Sequence, residues 1–93
     1  MKIYELSTRY DRRASFYGKA QVIETPLYYT LVSYETEILK IHKHTGELKW
    51  LCRSERAFTK TTNRHINEFL KQYADAPWRG YSKKEILKMA GII

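Results

Sequence analysis

The apolar residues of this chain change period near its middle, and no other feature restricts the fold as much. Up to about residue 58, segments rich in Val, Ile, Tyr and Thr alternate as strands require. From Thr62 onward, Ile66, Phe69, Leu70 and Tyr73 recur at the three- and four-residue spacing of one helix face. Residues 2–9 read as an edge strand. Residues 16–24 and 27–35 read as a hairpin about Thr25-Pro26, with Leu27, Tyr29, Leu31 and Ser33 on one face and Tyr28, Thr30, Val32 and Tyr34 on the other. Both faces of that second segment are substantially apolar, which places it centrally in a sheet. Residues 37–42 and 47–53 form a further hairpin about Lys43-His44-Thr45-Gly46, where Gly46 supplies the positive φ of the turn.

The helix is expected over about 62–74, with Thr61 or Thr62 capping its first amides. Asp75-Ala76-Pro77-Trp78-Arg79-Gly80 ends it. Ser82-Lys83-Lys84-Glu85 has the pattern of a capping box and opens a short helix over about 83–90, closed by Gly91. Strands first and helices after predict an α+β fold. The expected architecture is an antiparallel meander of four or five strands, with the amphipathic helix packed on one sheet face and a short C-terminal helix. A chain of 93 residues suits a single domain, 1–93, because two cores of half that length would each be too small to stabilise themselves.

Seventeen Lys and Arg against ten Asp and Glu give a net charge of +7. Residues 1–46 hold seven cations and five anions, and residues 47–93 hold ten and five. Such a balance favours acidic partners, nucleic acid or an acidic protein surface. The lone Cys52 excludes an intramolecular disulfide framework. With no apolar signal core and no run of membrane-spanning length, it points to the reducing cytoplasm of a host cell and to no membrane partner.

The excess charge is most suggestively placed in Arg9–Ala20, where Arg9, Arg12, Arg13 and Lys19 interleave with Tyr10, Phe16 and Tyr17. Cations beside planar rings can hold phosphates and stack on bases. Alternation through a strand beginning at Phe16 would put Tyr17 and Lys19 outward, with Phe16, Gly18 and Ala20 inward. On one reading Tyr17 stacks a base while Arg12, Arg13 and Lys19 hold phosphates; on the other the rings are core and the cations a solvated turn. A second candidate is the helix entry, where Lys60 and Arg64 flank free amides; capping with solvated charges is the alternative there. His65 lies off the apolar stripe, either as a sheet contact or as an exposed group.

His42, His44, Cys52 and His65 are zinc-competent, but their spacing matches no standard site, and no metal or cofactor is expected. Pairing His42 near Lys49 would leave Cys52 about three residues, roughly 10 Å, away. No nucleophile elbow, phosphate loop or metalloprotease motif occurs; Glu35 and Glu37 are expected on one strand face, which could pair their carboxylates, but they read as balancing neighbouring cations. Cys52 reads as a buried small apolar residue. The chain is expected to be non-enzymatic.

Tyr10-Asp11-x-Arg13-x-Ser15-Phe16-Tyr17-Gly18-Lys19-Ala20, Ser33-Tyr34-x-Thr36 and Thr61-Thr62-x-Arg64-His65-Ile66-x-Glu68-Phe69-Leu70-Lys71-Gln72 form three blocks. Across them, from about Met1 to Gln72, the chain resembles an uncharacterised small domain family frequent on phages, plasmids and integrative elements of Gram-positive bacteria. The segment 43–58 and the tail after Tyr73 are less like that pattern. The resemblance carries no active site, and it implies that the Tyr10–Ala20 block serves the shared fold. It also implies a setting in which small proteins inhibit host defence, CRISPR nucleases included, or assist replication and transfer. A chain at +7 cannot mimic DNA globally, so an inhibitor of this kind would grip an acidic protein surface or the nucleic acid of a nucleoprotein. The expectation is a monomeric or homodimeric accessory protein that binds and modulates a bacterial defence or replication nucleoprotein in anti-CRISPR fashion, through Arg12, Arg13, Tyr17, Lys19, Lys60 and Arg64. The alternative is weakly sequence-specific binding of single-stranded DNA or RNA.

Overall fold

The computed structural model describes residues 1–93. Five strands, β1 (Lys2–Glu5), β2 (Ala20–Glu24), β3 (Tyr28–Ser33), β4 (Thr36–His42) and β5 (Leu48–Trp50), pair antiparallel in chain order. They are followed by α1 (Lys60–Tyr73) and α2 (Lys83–Met89). This is the α+β meander expected, and β3 is its central strand. Alternation sends Val22, Leu31, Leu39 and Ile41 to one face, where they meet Ile66, Phe69 and Leu70 of α1 and Phe58 of the preceding turn in one core cluster. Each such side chain, fully buried, contributes roughly 1.5–3 kcal/mol. A register shift between Leu31 and Val32 gives β4 an extra residue, so that both Ile38 and Leu39 are buried.

The apolar stripe of α1 lies on the sheet, and Tyr73 closes it by packing on Tyr29 at 4.4 Å between ring centres. The helix starts two residues earlier than expected. Thr59, rather than Thr61 or Thr62, is the cap, its hydroxyl accepting from the Thr62 amide at 3.1 Å. The second helix has the expected capping box, with the Ser82 side chain accepting from the Glu85 amide and the Glu85 carboxylate accepting from the Ser82 amide. The bidentate Arg79–Glu85 pair and the Ser82 amide hold the Glu85 carboxyl down at about 2.

Several boundaries differ. Strand β1 ends at Glu5, and Phe16–Lys19 form a turn instead of the start of β2. Tyr17 and Gly18 both take left-handed conformations, φ 54° and 75°. The Glu5 carboxylate holds that turn, accepting from the Gly18 amide at 3.0 Å and the Ser15 hydroxyl at 3.1 Å. Gly18 is therefore required for its backbone conformation; it is exposed, not inward, and a Cβ there would touch nothing. Glu35 belongs to the β3–β4 turn and shares no strand face with Glu37. The β4–β5 turn contains Gly46 at φ 75°, and His42 lies opposite Glu47, not Lys49. Cys52 is half-buried against the core at Ile38, far along the hairpin from His42. No group of three His, Cys, Asp or Glu side chains is placed to hold a metal ion. No helix is long and apolar enough to cross a membrane.

Candidate functional site

The segment between β1 and β2 carries most of the candidate residues, and acids of the fold fix its course. Glu68 is buried on α1, and its Oε1 accepts from three successive backbone amides, Arg9 at 3.1 Å and Tyr10 and Asp11 at 2.8 Å each. Its Oε2 accepts from Gln72 Nε2 at 2.7 Å, and the same nitrogen reaches the Ser7 carbonyl. A run of amides converging on one carboxylate is an anion nest, occupied here by the protein's own side chain. The side chain of the same Asp11 meets Arg64 through two bonds, Nε to Oδ2 at 3.1 Å and the second terminal nitrogen to Oδ1 at 2.6 Å. Burial pushes the Asp11 carboxyl up, but Arg64 and the Arg13 amide outweigh it and hold the group below its ordinary value. The same pair raises Arg64.

The loop then turns inward at Phe16, which is buried with its ring edge-on to His65, 4.5 Å between centres. His65 is the sheet contact: fully buried, with Nδ1 2.8 Å from Ser33 Oγ, which is in turn 2.9 Å from Thr62 Oγ1. Its Nε2 has no protein partner. Desolvation lowers its pKa to about 4, with Arg13 and Arg64 acting in the same sense and Asp11 opposing, so the ring is neutral near pH 7. Ser33 is only 2% exposed, and the Ser33–His65 contact joins sheet to helix inside the core.

Three of the clefts around this frame are lined by cations or by residues of the β3–β4 turn. The first, about 320 Å³, lies between the loop and α1 and brings together Arg12, Arg64 and Lys71 beside Tyr10. The second, about 400 Å³, is lined by Gly18, Lys19, Gln21, Val32, Tyr34 and Glu35. The third, about 470 Å³, runs from Tyr34 to Arg56 over Thr59, Thr61 and Thr62. Of the residues expected to bind a partner, Arg12 and Arg64 share a cleft and Lys19 lines another. Arg13 and Tyr17 project from the same loop, Tyr17 being 77% exposed, and Lys60 is exposed one turn before Arg64. Arg64 is committed to Asp11, so its first role is to pin the loop. Tyr34 and Arg56 are not among the expected binding residues: alternation places Tyr34 on one of two apolar strand faces without distinguishing it, and Arg56 sits in a segment with no periodic signal.

Charge is distributed unevenly over these surfaces. Only Lys43, Arg64 and Arg79 of the seventeen Lys and Arg side chains lie in ion pairs. On the helical side of the sheet, Arg9, Arg12, Arg13, Lys60, Lys71 and the three lysines of α2 have no acid partner. Asp11, Glu68 and Glu85 are already engaged there, leaving Asp75 as the exposed acid of α1, α2 and their connection.

No curated protein and no solved structure matches this chain. A family model does, over residues 4–88, and the chain belongs to that family, DUF8033, a family of unknown function.

Proposed function

We propose that the protein is a non-enzymatic module that binds a bacterial nucleoprotein through its nucleic acid and thereby modulates it. The observation that supports this reading is the row of unpartnered cations on loop 9–13 and the two helices, together with the exposed rings of Tyr10 in that loop and Trp78 in the α1–α2 connection, 58% and 91% accessible. A surface on which the acids serve the fold and the cations do not is suited to a polyanion. The resemblance to domains of mobile elements suggests the setting, a defence or replication complex in the host cytoplasm, and inhibition of a CRISPR nuclease is the sharpest form of the reading. Undiminished DNA cleavage by CRISPR nucleases of each type would remove that form.

The general reading is tested by retardation of labelled oligonucleotides across a salt series. Log affinity should fall linearly with log salt, by about 0.7 per phosphate contacted on a single strand. Joint Arg12→Ala and Arg13→Ala substitution should weaken binding and lower that slope at an unchanged melting temperature, since neither side chain makes an ion pair or is buried. Failure of the native protein to retard any oligonucleotide at low salt would refute it.

A further inference from the structure

The turn between β3 and β4 is built against the preference of its own backbone. Its two central residues, Tyr34 and Glu35, both have positive φ, 49° and 70°. A two-residue hairpin of this form is ordinarily Asn-Gly or Asp-Gly, because a Cβ in the left-handed region is strained. Beside it lies the Tyr17-Gly18 turn, also left-handed, tied to it by the bond from the Tyr34 amide to the Lys19 carbonyl at 2.9 Å. Strain retained at two adjoining turns, each with an exposed tyrosine as its first central residue, points to the side chains rather than to the fold.

The position of Tyr34 shows what they serve. Its ring lines both the second and the third cleft. It is stacked over buried His65 at 5.7 Å and 30°, yet remains 50% exposed. On one side of it stands Lys19 and on the other Arg56, neither in an ion pair, with the hydroxyls of Thr59 and Thr61 near Arg56. A ring between two cations matches the repeat of a single nucleic-acid strand, a base flanked by phosphates.

We propose that Tyr34 is a stacking platform for an unpaired base, with Lys19 and Arg56 holding the phosphates on either side and Tyr17 offering a second ring next to Lys19. The ligand is a single strand, since a paired base presents no free face. This rests on the reading that the protein binds nucleic acid, and it assigns the contact to the clefts about Tyr34, distinct from the one that Arg12 lines.

The probe is a fluorescein-labelled oligothymidylate, compared with a duplex of equal length, by anisotropy at low salt. Joint Tyr34→Asn and Glu35→Gly substitution installs the sequence that the turn geometry prefers. It should leave the melting temperature unchanged or higher, and it should weaken single-strand binding by roughly 5- to 150-fold, the loss expected for one stacked base. Glu35 is the one acid lining either cleft, so its removal alone would strengthen phosphate contact; a loss of affinity therefore reports the ring. Tyr34→Phe, which keeps the ring, should bind within about twofold of native, and Tyr17→Ser, at a largely exposed side chain outside the core, should weaken binding while leaving the melting temperature unchanged. Native-like single-strand affinity in the folded double variant, or equal native affinity for strand and duplex, would overturn the platform. If the native protein binds and only the Arg12/Arg13 variant fails, the platform falls while the general reading stands; if the native protein binds nothing, both fall.

Discussion

The buried Glu68 carboxylate gives the most direct test of how the loop is held. Replacing it by glutamine preserves size and helix propensity but removes the charge on which the amides of Arg9, Tyr10 and Asp11 converge. A hydrogen bond to a charged group contributes about 1.5–3 kcal/mol and a neutral one about 0.5–1.5, so each of the three should lose roughly 1 kcal/mol. The amide also cannot satisfy both sides. With its oxygen toward the loop, its NH₂ group faces Gln72 Nε2, a donor already 2.7 Å from Oε2 and shared with the Ser7 carbonyl. Bonds to one oxygen are not additive, and a total of about 2–3 kcal/mol is expected. For a domain of this size that corresponds to a fall in melting temperature of roughly 10–20 °C.

Amide hydrogen exchange followed by NMR localises the effect. Exchange at Arg9, Tyr10 and Asp11 should quicken by about 30- to 150-fold under conditions where the β3 amides keep their protection, one decade for each 1.4 kcal/mol. A Glu68→Gln protein melting within about 3 °C of native, with unchanged exchange at those three amides, would refute the claim that this carboxylate holds the loop.

Acid should destabilise the protein in two stages. The His65 pKa is about 4 in the fold against an ordinary 6.5, so between those values the unfolded chain binds a proton that the native state does not; stability falls as pH drops through that window, by up to about 3 kcal/mol. The paired carboxylates Asp11, Glu24 and Glu85, whose pKa values are lowered, add their losses only as pH falls below their ordinary values near 4. Urea midpoints from pH 7 to 4 should show the first stage in the native protein and its absence in His65→Leu; a flat native profile above pH 4.5 would contradict the buried neutral ring. At Gly80, with φ 74°, an added Cβ would lie 3.0 Å from Asn67 Oδ1, the atom that accepts from the Tyr81 amide. Gly80→Ala should therefore cost roughly 2–3 kcal/mol and expose α2 to limited proteolysis, and a native digestion pattern would count against it.

Period and capping chemistry made most of the scaffold legible in advance. The α1 stripe, the Ser82 box and the Gly46 and Gly91 turns depend on residues within a few positions of one another, so a linear reading finds them. What escaped it was long-range or conformational. Nothing local marks Glu68 as buried, because its partners are backbone amides 57 to 59 residues away. Alternation failed at Phe16–Lys19 because Glu5, ten or more residues back, fixes that turn. Tyr34-Glu35 lacked the Asn-Gly signature of its turn, so the segment read as continuous strand. The split of Arg9–Ala20 into buried Phe16 and Ala20 against exposed Arg12, Arg13, Tyr17 and Lys19 was readable from pattern, whereas the inward placement of Gly18 was not correct.

The acids also explain how a modest net charge becomes a strongly basic surface. Glu5 and Glu68 direct their carboxylates at backbone amides, and Asp11 neutralises one arginine while anchoring the loop that carries three others, Arg9, Arg12 and Arg13. With Glu68 buried and Asp11 paired, the cations of the loop and helices face solvent with few acids among them, so the local surface is more basic than the formal charge suggests. This separates two accounts of binding. If nucleic acid were attracted by net charge alone, Glu68→Gln, which raises that charge by one, would strengthen binding. If affinity depends on where the loop holds Arg12 and Arg13, the same substitution should weaken binding even at temperatures where the variant is fully folded. Retardation assays on the native and Glu68→Gln proteins at matched low salt decide between them, and tighter binding by the variant would show that placement of the loop contributes nothing.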